Sequence, residues 1–501
     1  MPPARQKENE WTVAVDLTLS FDEVDTHGGH YGAQHDTALL KELAVDSADK
    51  PVTIVAQAVT RDDKDSQAKV NRFVIRDGKV EELPEAPAGS YSQDITDLLK
   101  LAGDYPAKRL GLVVTSHGEG GAGMRGEEGL LPLPEFERTV AQALQQTDHK
   151  KLDLLDFDAC DMAQTSVLDH THTLTTDLVA SSDVEQGAMQ RQDIWLRDLL
   201  HNPNMTGSEL GDDIIAQATK GANVDTRFKR TGTPTLAHFD LQNGYEQFRS
   251  SLDKFGAAMQ NVFTPDSARK QLAYLLDHPP AFYQANDYDQ RTRFDLQILL
   301  MDIMSASYTK QLADKNKTLS NAARDLLGAK FLVTKSFTGA SATNFNVMGG
   351  LSILLPAPDA FDTTKNAQRA SVAGGLLEMT DAKEPIERRR YEADNLQEEL
   401  DASKQFAGEK SPAQFDLDAI QQTINRLKKP KLGDAQIAKL DSRIHKTTAQ
   451  MLQQEPFQSR WMRTKSEYDR DLSLYLESEN DPGQWYDFIK QWYDWSRTQK
   501  P

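Results

Sequence analysis

The chain has 501 residues, 38% of them hydrophobic, and its 57 Lys plus Arg stand against 76 Asp plus Glu for a formal net charge of −19. At roughly 150 residues per domain this allows two to four domains with at least one sizeable core, which excludes a disordered chain. The acidic balance excludes a nonspecific grip on nucleic-acid phosphates or an anionic membrane surface and favours basic ligands or substrates.

In chain order, Met1 to Glu10 is polar and charged with no apolar segment of the signal-peptide kind. No stretch approaches about 18 uninterrupted apolar residues, so neither a signal peptide nor a membrane span is expected, and the location expected is cytoplasmic. Candidate strands follow at Trp11–Val15, Val52–Val59, Leu110–Ser116, Leu152–Phe157, Asp177–Ser181 and Thr235–Phe239. Several are near-continuous apolar runs, as strands buried on both faces of a parallel sheet should be. After the first strand comes a glycine-rich loop with His27, His30 and His35; it lacks a fixed ligand geometry, and no metal is assigned to it. Between Leu110–Ser116 and Leu152–Phe157, the residues Phe136, Val140 and Leu144 recur at helical spacing behind Pro134 and Glu135, which makes this stretch a strand–helix–strand crossover.

From Gly207 the pattern turns mostly helical, with helices expected from Ser208, over Arg269–Leu276 and over Phe294–Met304, and one late strand, Leu351–Leu355, ended by Pro356. Lys383–Lys431 then holds acidic and basic residues in equal number with few large apolar groups, the look of exposed, charge-laced helices. The aromatic run Trp485–Trp495 is expected to pack back on the main body. The domain scheme is therefore a core over 1–206, the rest of the same domain over 207–357, a charged helical arm over 358–455 and a C-terminal aromatic segment over 456–501.

The chemistry lies just beyond two of these strands. Leu110–Ser116 runs into His117-Gly118-Glu119-Gly120-Gly121, and Leu152–Phe157 runs into Asp158-Ala159-Cys160, which holds the chain's one cysteine. In an open parallel sheet the loops beyond the carboxyl ends of strands line the ligand crevice, so a right-handed crossover brings His117 and Cys160 to one edge. A thiol must lose its proton to attack a carbonyl, and a neighbouring imidazole takes it. The N–H groups of Gly118 and Cys160 are the candidate oxyanion hole. One cysteine also excludes an intramolecular disulfide and any multi-cysteine metal site.

The segments Thr115-Ser116-His117-Gly118 and Leu155-Asp156-Phe157-Asp158-Ala159-Cys160-Asp161-Met162-Ala163, with Val179-Ala180-Ser181-Ser182-Asp183 and Gly350-Leu351-Ser352-Ile353, resemble the caspase-like cysteine peptidases, and most closely the clostripain-like family. The resemblance spans about Trp11 to Pro356 and resumes at Gln484–Phe488; the charged arm has no counterpart in it. It implies a caspase-like αβα sandwich with a mostly parallel central sheet and endopeptidase activity through a His117/Cys160 dyad. It also implies cleavage after arginine, sometimes lysine, with Asp158 in an acidic S1 pocket. A carboxylate there takes a guanidinium bidentately and repels an acidic side chain. Ser181, Ser182 and Asp183 are the further candidates for substrate binding. Some relatives need calcium and many are matured by cuts at basic clusters, for which His149-Lys150-Lys151, Arg227–Arg230 and Arg388–Arg390 qualify, the last two being favoured because a cut just before the cysteine strand would disturb the site; no cofactor is required by the sequence itself. The partners expected are peptides or proteins with a basic P1 residue and an activating protease or regulatory protein, with no nucleic acid and no membrane. The alternative reading is a regulatory protein on the same fold that docks partners through the arm.

Overall fold

Strands buried on both faces make the centre of the molecule. In the computed structural model, Val52–Thr60, Asn9–Leu17, Ala107–Thr115, Leu154–Asp158 and Asp177–Ala180 lie side by side in that order, each parallel to the next. The structure describes residues 9–18, 23–24, 30–31, 33–60, 67–126, 129–182, 185, 190–224, 235–277, 293–304, 317–329, 332–338, 349–355, 421, 425 and 483–496. Contacts group the chain into two units. The first holds Met1–Asp287, Arg293–Leu355 and Leu472–Trp492, and the second Tyr288–Thr292, Pro356–Asp471 and Tyr493–Pro501. Only 421, 425 and 493–496 of the second are described, so apart from 421 and 425 the charged arm lies outside the described residues, as do Arg227–Arg230, Arg388–Arg390 and the side chains of His27, His30 and His35.

The pleat assigns each helix layer its face of the sheet. Trp11, Val13, Val15 and Leu17 share a core with Leu40 and Leu43, with Trp195, Leu196 and Leu199 of helix Gln192–His201, and with Leu210 and Ile214 of helix Gly207–Val224. The intervening Thr12 points the other way, its hydroxyl donating to the Tyr105 carbonyl (2.5 Å) just past helix Tyr91–Gly103. Phe157 meets Phe136 of helix Leu133–Leu144 on that second face (ring centroids 5.5 Å apart). The result is the αβα sandwich with a mostly parallel sheet that the strand pattern implies.

Both margins of the sheet are antiparallel. Lys69–Arg76 pairs with Val52–Thr60 and carries the charged edge strand Lys79–Glu82. At the other margin Thr235–Asp240 pairs with Asp177–Ala180 and then with Val333–Thr338. The hairpin over 69–82 escapes an apolar-run reading because an edge strand shields itself with exposed charge, here Lys79, Glu81 and Glu82. The expected helix over Phe294–Met304 is shorter at its start: Arg293–Asp295 is a strand, and the helix runs Leu296–Met304. Its strand partner is the late strand, Ser352–Leu354, so that strand stands outside the central sheet. Asp295 sets this register, its Oδ2 accepting from the N–H of Gly349 (3.0 Å) and of Gly350 (3.2 Å).

The aromatic end is the helix Gly483–Ser496, and up to Trp492 it packs as expected. Trp485 stacks on Phe255 and Phe488 meets Phe263, both on or next to helix Leu241–Val262. That helix offers Gly256 at the crossing, where any Cβ would overlap the Trp485 main chain. Buried Asp169, in helix Thr165–Thr171, accepts from Tyr245 Oη (2.6 Å), Arg249 Nη1 (2.8 Å) and Tyr486 Oη. No helix of the described residues is long and apolar enough to cross a membrane.

One buried ion network makes the fold pH-sensitive. His238 is fully buried, with Nε2 2.9 Å from Asp177 Oδ1 and Nδ1 3.0 Å from Asp212 Oδ1. Desolvation pulls the imidazole pKa down, but hydrogen bonds and charge from the two aspartates outweigh it and hold the pKa above its ordinary value. A raised histidine pKa stabilises fully below the unfolded value, near 6.5, and the contribution fades as pH rises through the folded value. His238→Gln is therefore expected to cost about 3 kcal/mol at pH 5.5, by leaving the buried Asp177 carboxylate without its cation; the pair with the half-exposed Asp212 adds little. Urea unfolding across pH 5.5 to 9 should show that deficit narrowing; a deficit that widens with pH contradicts the assignment.

Candidate active site

Sheet register brings the two sequence-predicted loops together. Thr115, the last residue of strand Ala107–Thr115, is level with Asp158, the last of strand Leu154–Asp158, and Ser116 N–H donates to the Asp158 carbonyl (3.3 Å). Each chain then runs two residues further, to His117 and to Cys160. His117-Gly118 forms a short antiparallel strand against Gly123–Gly126, so the histidine stands on a hairpin, exposed. The Ser116 hydroxyl fastens the hairpin base by donating to the Arg125 carbonyl (2.8 Å). A Cβ on Gly118 would overlap the Cys160 carbonyl oxygen and lie 2.8 Å from its carbon and 3.0 Å from the Cys160 nitrogen. Glycine is thus needed at this position for the hairpin to reach the cysteine main chain at all.

Cys160 carries a partly exposed thiol that is in no disulfide. Its sulfur accepts from Glu185 N–H (3.3 Å) and donates to the Glu185 carbonyl (3.6 Å). The chain turns sharply behind it: buried Asp161 has φ +63°, in the left-handed region that aspartate tolerates better than most residues.

Three carboxyl groups gather beside the thiol. Asp156 and Asp158 share one face of their strand by the two-residue period, the face toward helix Gln192–His201. Asp156 is fully buried; burial, with the Asp158 charge adding, pushes its carboxyl well above the usual range against the pull of a hydrogen bond from Gln190. Asp158 is partly exposed and accepts from Thr115 Oγ1 (3.3 Å) and Gln192 Nε2 (2.7 Å). Desolvation raises it to about 6 against the pull of those two bonds. Glu185 Oε2 accepts from Ala159 N–H (3.1 Å), and burial followed by repulsion from Asp158 pushes this carboxyl well up too. Glu185 Oε1, Gln190 Oε1 and Gln192 Oε1 also have no donor among the described residues. A desolvated cluster with this surplus of acceptors suits a cation that brings several N–H donors.

Of the remaining sequence candidates, Ser181 and Ser182 sit one strand further on. The Ser181 hydroxyl donates to the Thr235 carbonyl, and Ser182 donates through its N–H to Thr235 Oγ1 (3.2 Å). Asp183 lies outside the described residues. The structure adds Asp156 and Glu185 to the site. Asp156 has a sequence signal, a carboxylate inside the apolar run Leu154-Leu155-Asp156-Phe157; Glu185 has none, because only the tertiary fold brings it to Ala159. The family resemblance leaves calcium open. Among the described residues no group of three or more His, Cys, Asp or Glu side chains is arranged to hold a metal ion, and no step below is routed through one.

Compared with known proteins, the family model described as the clostripain family matches residues 59–493. A search of curated protein sequences finds no match. Among solved structures, the chain is similar to a secreted cysteine protease from Bacteroides thetaiotaomicron, at 16% identity over 70% of this chain and 94% of that one, with a TM-score of 0.48. It is also similar to an inactive zymogen protease from Parabacteroides distasonis, at 14% identity over 72% of this chain and 97% of that one, with a TM-score of 0.40.

Proposed function

The chain belongs to the clostripain family and is a cysteine peptidase on a caspase-like αβα sandwich; from that premise we propose that it is an endopeptidase cleaving after arginine or lysine through Cys160 and His117. The observation that supports the reading is the approach of the Gly118 and Cys160 main chains, which brings the histidine hairpin up to the cysteine loop. His117 takes the Cys160 proton, and the sulfur attacks the scissile carbonyl. The N–H groups of Gly118 and Cys160 hold the oxyanion as it develops. The departing amine takes the proton from His117, leaving an acyl-enzyme. His117 then takes a proton from water, whose oxygen displaces the thiolate and releases the acid.

The acidic cluster supports a basic P1 residue. Asp158 faces the substrate cation, with Glu185 as a further carboxylate beside it, and Asp156 and the side-chain oxygens of Gln190 and Gln192, which have no donor among the described residues, lie around them. The Glu185 main chain occupies the Cys160 sulfur, which supports control by cleavage or by a partner, since a substrate must displace that contact.

The test is cleavage of a peptide library, read by mass spectrometry before and after limited proteolysis of the enzyme, with and without a thiol alkylator. Alkylator-sensitive cuts after Arg and Lys are expected. Alkylator-resistant cleavage would overturn the mechanism, and sensitive cleavage after other residues would overturn the specificity.

A further inference from the structure

The histidine hairpin and the cysteine loop meet at a second point besides Gly118 and Cys160. Gln164 stands four residues beyond the cysteine, immediately before helix Thr165–Thr171, and is 2% exposed. Its Oε1 accepts from Gly121 N–H at 3.1 Å. Gly121 belongs to the short turn Gly120–Ala122 at the tip of the hairpin, which closes through Glu119 N–H to the Gly123 carbonyl (2.9 Å). Gly120 has φ +59°, and its Cα lies so close to the carboxamide that a Cβ there would overlap Nε2.

The main chain next to Gln164 is itself held from behind. Ala163 N–H donates to the Ser181 carbonyl (2.6 Å), and the Ala163 carbonyl accepts from Ser352 N–H (2.8 Å) and Ser352 Oγ (3.1 Å). The hairpin, by contrast, carries glycine at 118, 120, 121 and 123 and so has little stiffness of its own. Its internal ion pair, Glu119 with Arg125 (2.5 Å), involves an exposed arginine side chain, where such pairs contribute little. Gln164 is also a poor choice for packing alone. Its Nε2 is buried with no partner among the described residues, a desolvation cost that an apolar side chain of equal length avoids. The bond to Gly121 is what the amide supplies.

We propose that Gln164 is a positioning residue of the peptidase reaction: through Gly121 it fixes the His117 hairpin at the height of Cys160. The inference rests on the His117/Cys160 reading. Displacing a reacting group by about 1 Å costs up to about a hundredfold in rate, so a hairpin freed at its tip loses turnover while the substrate pocket stays as it was.

The test measures kcat, KM and unfolding midpoint on an arginine peptide for the wild type and for Q164M, Q164N, Q164E and H117A. Q164M keeps the length without the acceptor, Q164N keeps the polarity without the reach, and Q164E keeps the acceptor. Q164M and Q164N are expected to lose about ten- to a hundredfold in kcat with KM nearly unchanged and no loss of unfolding midpoint. Q164E is expected to recover most of the rate. Wild-type kcat in Q164M and Q164N, an equal loss in Q164E, or a rate loss that follows a lowered midpoint would overturn the proposal. Wild-type activity in H117A would instead overturn the dyad reading, whatever the Gln164 variants do.

Discussion

Cys160→Ala is expected to remove turnover by about four orders of magnitude or more, and His117→Ala nearly as much, because each removes one half of a single proton-transfer and attack unit. Groups that act as a unit are not additive, so the double variant should be scarcely worse than either single one. Neither change should unfold the protein. His117 is exposed on its hairpin, and Cys160 is partly exposed, its sulfur meeting the Glu185 main chain. Steady-state kcat/KM on an arginine peptide, with unfolding midpoints beside it, checks both halves. Near-wild-type activity in Cys160→Ala would sink the mechanism. Loss in Cys160→Ala with full activity in His117→Ala would leave the nucleophile standing and move the base elsewhere.

Asp158→Asn is expected to separate activity from stability. Toward an arginine peptide it should lose two to three orders of magnitude in kcat/KM, since a desolvated guanidinium without its carboxylate costs about 3–5 kcal/mol. Toward a peptide with a neutral P1 residue it should change little. The fold should gain. An aspartate pKa raised from 3.8 to about 6 on folding means that its contribution is complete below the unfolded value and is lost as pH rises through 6, when the carboxyl must ionise in its desolvated seat. Asparagine never ionises and can still accept from Gln192. The variant should therefore unfold later than the wild type by about 1–3 kcal/mol at pH 7, with the gap closing toward pH 4. The same titration predicts that wild-type efficiency on arginine peptides falls below about pH 6 more steeply than that of the asparagine variant. Full arginine preference in Asp158→Asn would shift the pocket to Glu185 and Asp183. A variant less stable than wild type at pH 7 would mean that Asp158 belongs to the fold rather than to substrate.

The sequence by itself carried the elements whose evidence is local. The run Leu110–Ser116 ending in His-Gly, the run Leu152–Phe157 ending in Asp-Ala-Cys and the helical spacing of Phe136, Val140 and Leu144 between them were enough to read a crossover with a thiol and an imidazole at one sheet edge. Burial on both faces writes itself into consecutive residues, and loops at strand ends follow from chain direction alone. Of the antiparallel margins only Thr235–Phe239 was legible as a strand; its direction and the strands Lys69–Arg76, Lys79–Glu82 and Val333–Thr338 were not, because edge strands mix charge with apolar residues and their partners lie anywhere in the chain. Nor was the character of the site. That Glu185 reaches Ala159 N–H and that Gln164 meets Gly121 both depend on long-range register between segments 26 and 43 residues apart. A residue's type sets which proton it can give or take. How much water it keeps, and which donor replaces that water, is decided by every segment packed around it, and only the tertiary structure brings those segments together.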